Sequence, residues 1–261
     1  MPRITSRDNP RLASAARLIA SSRERRKTAR CVLEGEHLVV AYCRRIGPPE
    51  VLIVAETAQE RPDVRTLIAK IPGGRTLIVA DAAWSALGPV PAAAGVLAVV
   101  PTPQPPAHVP ADFCLLIEDV QDPGNVGSML RSAAAAGVAQ VFLSSGCAFA
   151  WSPKVLRAGQ GAHFHLEIHE DVDLPAWARA YRGRTIATAV ATGESIWRTD
   201  LTGAVALAIG NEGGGLSAAL RGAADAIATI PMPGRFESLN AAAAAAVCLF
   251  ECARQRRRGA E

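Results

Sequence analysis

Phe113-Cys114-Leu115-Leu116-Ile117-Glu118-Asp119-Val120-Gln121-Asp122-Pro123-Gly124-Asn125-Val126-Gly127-Ser128-Met129-Leu130-Arg131 is the stretch whose reading decides the fold. The apolar run 113–117 is a buried strand, and the Pro-Gly pair stops it. Apolar spacing from Asn125 to about Gly137 then predicts a helix, with Asn125 placed to cap it. Arg131 lies about one and a half turns into that helix, inside an otherwise apolar stretch. Spacing alone leaves it open whether Arg131 is a functional cation or a surface residue of an amphipathic helix.

The same strand–helix alternation continues downstream. Strands are predicted at 140–143, 163–168, 185–190, 204–209 and 226–230. Helices are predicted at 152–158, 174–181, 216–221 and 240–256. This is a doubly wound α/β pattern: a parallel sheet with helices on both faces and ligands at the carboxyl ends of its strands. Upstream, a helix from Asn9 to about Ala20, a strand at Val32-Leu33, a helix at 36–45, and strand runs at 51–54, 76–79 and 95–100 predict a smaller α/β domain with a mostly parallel sheet. Five prolines in residues 101–110 make a stiff extended connector. The expected division is therefore 1–100, a linker 101–110, and 111–261.

Bulk properties bound the function. At 49% hydrophobic and 20% charged, the composition is globular. No run of about 18 apolar residues suggests a membrane span, and the opening MPRITSRDNPRL has no signal-like apolar core. The six cysteines form no C-x-x-C pair, which fits reduced thiols and a cytoplasmic setting. Charge is uneven: residues 1–30 hold nine Lys/Arg against Asp8 and Glu24, and 254–258 hold four Arg, although the whole chain is only +4. Basic ends on a neutral-to-acidic body suggest a polyanion such as a nucleic acid. His163 and His165 share one face of a predicted strand with no further ligand near, so no metal site is expected.

Two further loops follow strand ends. Gly210-Asn211-Glu212-Gly213-Gly214-Gly215-Leu216 lets backbone approach a ligand closely. It lacks the register of a dinucleotide fingerprint, and Glu212 would repel a pyrophosphate. Ile230-Pro231-Met232-Pro233-Gly234-Arg235-Phe236-Glu237-Ser238-Leu239-Asn240 cannot be regular, and it ends with Ser238 and Asn240 at the start of the last helix. Helix capping explains both residues; a ligand at the positive helix end would use them equally well.

Together the three loops resemble, in order and spacing, the three motifs of the SpoU (TrmH) family of RNA ribose methyltransferases, in the SPOUT superfamily. Asn125, Gly127 and Arg131 match the first motif. Gly210, Glu212, Gly213, Gly215 and Leu216 match the second. Ile230, Pro231, Met232, Gly234, Ser238, Leu239 and Asn240 match the third. Ala241-Ala242 departs from the Val-Ser often found in the family. Residues 1–98 are similar, less specifically, to an L30e-like substrate-binding domain carried by many members, through 4–11 and 32–38.

The resemblance implies a trefoil-knotted catalytic domain, S-adenosylmethionine as cofactor, a homodimer formed through the C-terminal domain, and RNA as partner, with rRNA favoured over tRNA. It implies cofactor contacts at Ala189, Val190, Gly210, Asn211, Gly213, Ile230, Met232, Ser238 and Leu239, and a catalytic set of Asn125, Arg131, Glu212, Ser238 and Asn240. In that set Glu212 pairs with Arg131, and Asn125 orients the ribose or the arginine. A sulfonium methyl is already an activated electrophile, so alignment with a 2′-hydroxyl and removal of its proton are the enzyme's tasks, and they require no metal. A guanidinium holds its proton at neutral pH, which favours Arg131 as an electrostatic stabiliser over a base. Three competing readings remain: a nucleotide-dependent oxidoreductase, a non-catalytic RNA-binding protein, and a SPOUT enzyme acting on tRNA or on a base.

Overall fold

The computed structural model describes residues 3–88, 95–106, 110–190, 192–234 and 237–258. Part of the predicted connector, 107–109, lies outside them, as do Ala191, Arg235 and Phe236. By contact the chain divides into two compact units, Met1–Pro103 with Trp151–Phe164, and Gln104–Ala150 with His165–Glu261.

The first unit holds strands β1 (Arg3–Ile4), β2 (Arg30–Glu34), β3 (Val51–Ala55), β4 (Thr76–Val79) and β5 (Val96–Pro101). Its helices are α1 (Pro10–Ala20), α2 (Ser22–Thr28), α3 (Glu36–Arg45), α4 (Pro62–Lys70) and α5 (Asp81–Trp84). Asn9 caps α1, its side chain accepting from Arg11 N at 2.9 Å, and Leu12, Ala15 and Leu18 form the buried stripe. The sheet order is β1-β4-β3-β5-β2. β1, β4 and β3 are parallel, but β5 runs antiparallel to both β3 and β2. The expected mostly parallel sheet is thus a mixed one. Val96–Val100 is almost wholly buried, and a two-sided apolar run reads the same in either direction.

The second half of the chain supplies β6 (Phe113–Ile117), α6 (Pro123–Ala136), β7 (Gln140–Leu143), α7 (Pro153–Gly159), β8 (Glu167–His169), α8 (Leu174–Ala180), β9 (Arg184–Thr188), β10 (Glu194–Ser195), β11 (Val205–Ile209), α9 (Ala218–Ala223), β12 (Ala226–Thr229) and α10 (Ala241–Arg258). The sheet runs β10-β12-β9-β11-β6-β7-β8 with every pair parallel, as the alternation predicts. All residues of β6 and β11 are buried, the mark of central strands covered on both faces. Helix α10 packs on α6. The segment carrying α7 groups with the first unit: Arg157 pairs with Glu34 at 3.3 Å, and the Tyr42 and Phe164 rings meet edge to face at 5.4 Å.

Two local expectations are corrected. Residues 162–165 form a 3-10 turn rather than the start of a strand, so His163 and His165 share no strand face. His163 is buried beside Trp151, and His169 stacks on Phe142 at 4.7 Å. Among the described residues no cluster of three or more metal-ligating side chains occurs. Asn125 does not cap α6. Asp122 does, its Oδ1 accepting from Asn125 N at 2.8 Å, with Pro123 in the first turn. Among the described residues, no helix is long and apolar enough to cross a membrane.

Candidate active site

β6 sits between β11 on one side and β7 on the other, so the chain leaves β6 in one direction and returns on the opposite flank. That is a topological switch point, and the loops leaving β6 and β11 meet at its carboxyl end. The first contributes 118–122 and the start of α6; the second is the glycine loop 210–216. A third wall comes from 230–234 and 237–240, ahead of α10.

Asp122 takes over the cap, so the Asn125 side chain is free to face these loops. Its Oδ1 accepts from Asn240 Nδ2 at 3.0 Å, and its Nδ2 donates to Glu212 Oε1. One carboxamide therefore joins all three loops. Asn240 caps α10 at the same time, its Oδ1 accepting from Ala242 N at 2.9 Å and Ala243 N at 3.2 Å. The expected Glu212–Arg131 pair is replaced by Glu212–Asn125. Arg131 is exposed and makes no hydrogen bond or ion pair among the described residues.

The glycine loop is shaped by Asn211. Its backbone pairs with Gly215 in both directions, at 3.1 and 2.9 Å. Its Oδ1 accepts from Gly213 N at 2.8 Å and Gly214 N at 3.1 Å, while its Nδ2 donates to Asp119 O at 2.8 Å. Gly210 is needed for the close return: a Cβ there would run into the Gly215 backbone.

The glycine loop, the third wall and the end of β9 line a cavity of about 360 Å³. Every residue expected at the cofactor lines it: Ala189, Val190, Gly210, Asn211, Gly213, Ile230, Met232, Ser238 and Leu239. Of the expected catalytic set, Glu212 and Ser238 line it, whereas Asn125, Arg131 and Asn240 do not. Thr188, expected at the cofactor as part of the strand end 188–191, also lines the cavity, whereas sequence reasoning missed Thr192 and Arg221 on its wall. Arg221 lies on α9, whose direction only the fold sets.

Size and chemistry fit an adenosyl cofactor. The volume is that of a small-molecule site. Val190, Ile230, Met232 and Leu239 offer apolar surface for a flat ring, glycine backbone allows close approach, and Glu212 and Arg221 carry opposite charges.

A parallel sheet with a cavity at the carboxyl ends of β9, β11 and β12, bordered by an Asn–Asn–Glu chain, fits a cofactor-binding α/β enzyme. The SpoU rRNA Methylase family matches residues 112–250. The chain is 33% identical to the Bacillus subtilis 23S rRNA (guanosine(2553)-2′-O)-methyltransferase RlmP, over 96% of this chain and 98% of that protein. Among solved structures it is similar to the SpoU methyltransferase AviRb from Streptomyces viridochromogenes in complex with AdoMet: TM-score 0.82, 28% identity, 95% of this chain and 98% of that one. The AdoMet-bound rRNA methyltransferase from Sinorhizobium meliloti matches with TM-score 0.80 and 28% identity, over 97% of each chain. The chain belongs to the SpoU rRNA methylase family, whose members are S-adenosylmethionine-dependent methyltransferases.

Proposed function

We propose that the protein transfers a methyl group from S-adenosylmethionine to a ribose 2′-hydroxyl of RNA, with rRNA as the substrate class. The observation that carries this is the Asn240–Asn125–Glu212 chain beside the cavity, which joins the three loops that match the family's motifs. The glycine loop with Thr188, Ala189, Val190, Ile230, Met232, Ser238 and Leu239 would hold the cofactor, which would supply an electrophilic methyl.

The chain's own residues do the rest. Asn125 is pinned on both sides, so its amide presents a fixed surface to the ribose. Arg131, exposed and without a partner among the described residues, is available to meet negative charge developing on the 2′-oxygen. Glu212 orients Asn125 rather than Arg131. Ser238 and Asn240 shape the border between cavity and substrate. In this reading the catalytic domain is trefoil-knotted and forms a homodimer. The basic first domain, L30e-like in this reading, holds structured RNA by its phosphates.

rRNA is favoured over tRNA because two proteins named for rRNA methylation, RlmP and the Sinorhizobium meliloti enzyme, match nearly the whole chain, although other rRNA methyltransferases match little more than half of it. The enzyme of tRNA position 34 covers only 55% of it. The test is to map 2′-O-methyl nucleotides in rRNA and tRNA with and without the gene. Loss of one rRNA ribose methyl is expected. Loss of a tRNA methyl would move the substrate class, and no loss at all would overturn the function.

A further inference from the structure

Glu118 follows β6 directly and is buried at 7% exposure. Its backbone N–H donates to Ile209 O at 2.9 Å. Its carboxylate accepts from Ser217 N at 2.7 Å and from Ser217 Oγ at 2.8 Å. Ile209 and Ser217 are the residues immediately before and after the glycine loop 210–216. A single residue, 99 positions away from Ser217, therefore spans the base of the loop and fastens both ends. Asp119 adds a third tie, its carbonyl accepting from Asn211 Nδ2.

We propose that Glu118 is a positioning residue for cofactor binding: it clamps the glycine loop into the shape that forms the cavity wall. The proposal rests on the reading of the cavity as the S-adenosylmethionine site. Four of the seven loop residues are glycine, the residue type that loses most conformational freedom when ordered. Held open at its base, such a loop would order on binding and weaken affinity. Charge-assisted bonds to a buried carboxylate are the strong kind, and losing them leaves the Ser217 N–H without its partner. Both Glu118 oxygens are engaged by Ser217, so the residue acts through the loop rather than on the reacting atoms.

The test uses the full chain and S-adenosylmethionine as titrant in calorimetry, without RNA, at a temperature well below every melting point. Glu118→Gln is expected to raise the cofactor Kd about tenfold, consistent with one charged hydrogen bond, with KM for RNA unchanged. Ser217→Ala is expected to raise it about threefold, and the double variant to be no worse than Glu118→Gln, because the two residues form one unit. A Kd within twofold of the parent while the melting temperature falls would make Glu118 a fold stabiliser only. Ser238→Trp, an exposed loop substitution that fills the cavity, separates this from the underlying reading. If it blocks the cofactor but Glu118→Gln leaves Kd unchanged, the clamp fails alone. If neither changes Kd, the cavity is not the cofactor site and both readings fall.

Discussion

Asn240 Nδ2 donates to Asn125 Oδ1 at 3.0 Å, linking the cap of the last helix to the first turn of α6 across 115 residues. Asn125 passes the link on to Glu212. The chain has a direction: Asn240 donates, Asn125 accepts and donates, Glu212 accepts. Asn125→Asp puts a carboxylate where Glu212 expects a donor, and like charges at contact distance repel. This variant is expected to lose about 10²-fold or more in single-turnover methyl transfer. Asn240→Ala, which also removes a cap, is expected to lose activity and about 1 kcal/mol of stability. The double variant Asn125→Ala/Asn240→Ala is expected to be markedly less damaged than the sum of the singles. Additive losses would show that the two residues act separately.

The three loops were legible because Gly and Pro interrupt apolar runs at 122–124, 210–215 and 231–234. Those residue types punctuate the chain whatever the tertiary fold. The parallel sheet followed from the alternation. What was not legible depended on distant partners. Asp122 and Asn125 are both good caps, and only the geometry after Pro123 gives the cap to Asp122 and frees Asn125. Glu212 looked like a partner for Arg131 because they were the two charges in adjoining motifs, yet the nearer donor is an amide. His163-Phe164-His165 alternates like a strand but follows Gly161 at φ 91°, and the chain turns there. Glu118 had no local signal, since its partners lie at the ends of another loop.

Arg157 and Glu34 make a pH-dependent tie within the first unit. The Glu34 side chain is 6% exposed, and its Oε2 has no hydrogen-bond partner among the described residues. Burial pushes its carboxyl above the usual range, and Arg157 opposes that shift. The unfolded chain therefore releases this proton first, and stability falls as pH rises above about 4.5, its ordinary value. Arg157→Ala removes the opposing charge. The melting temperature should then drop by a few °C more at pH 8 than at pH 5, as scanning calorimetry would read. Equal drops at both values would mean that Glu34 does not titrate.

The cysteines give a second pH signature. Burial pushes the Cys31, Cys114, Cys248 and Cys252 thiols up to about 12. All are free. At pH 8 these four should resist a thiol reagent in the folded protein and react once it is denatured. Between about pH 9, their ordinary value, and about 12, the unfolded chain loses protons that the folded one keeps. Stability should decline across that window. Rapid labelling of any of the four at pH 8 would contradict the burial.

Arg131 and the cavity make separable contributions. Arg131 does not line the cavity, has no partner among the described residues and stands on the same helix as Asn125, about 9 Å further along the axis at 1.5 Å per residue. Arg131→Ala is expected to reduce methyl transfer by about 10³-fold, while calorimetry gives a cofactor Kd within about twofold of the parent. Arg131→Lys keeps the charge but loses the planar fork, and should recover only part of the rate. A guanidinium that stabilises charge and one that accepts a proton differ in this series. Stabilisation predicts partial rescue that holds while lysine is protonated and fades as it deprotonates, whereas proton acceptance predicts a rescue that grows steeply as lysine deprotonates. Cofactor affinity lost together with the rate would reject the division of labour, because Arg131 would then have to reach into the cavity.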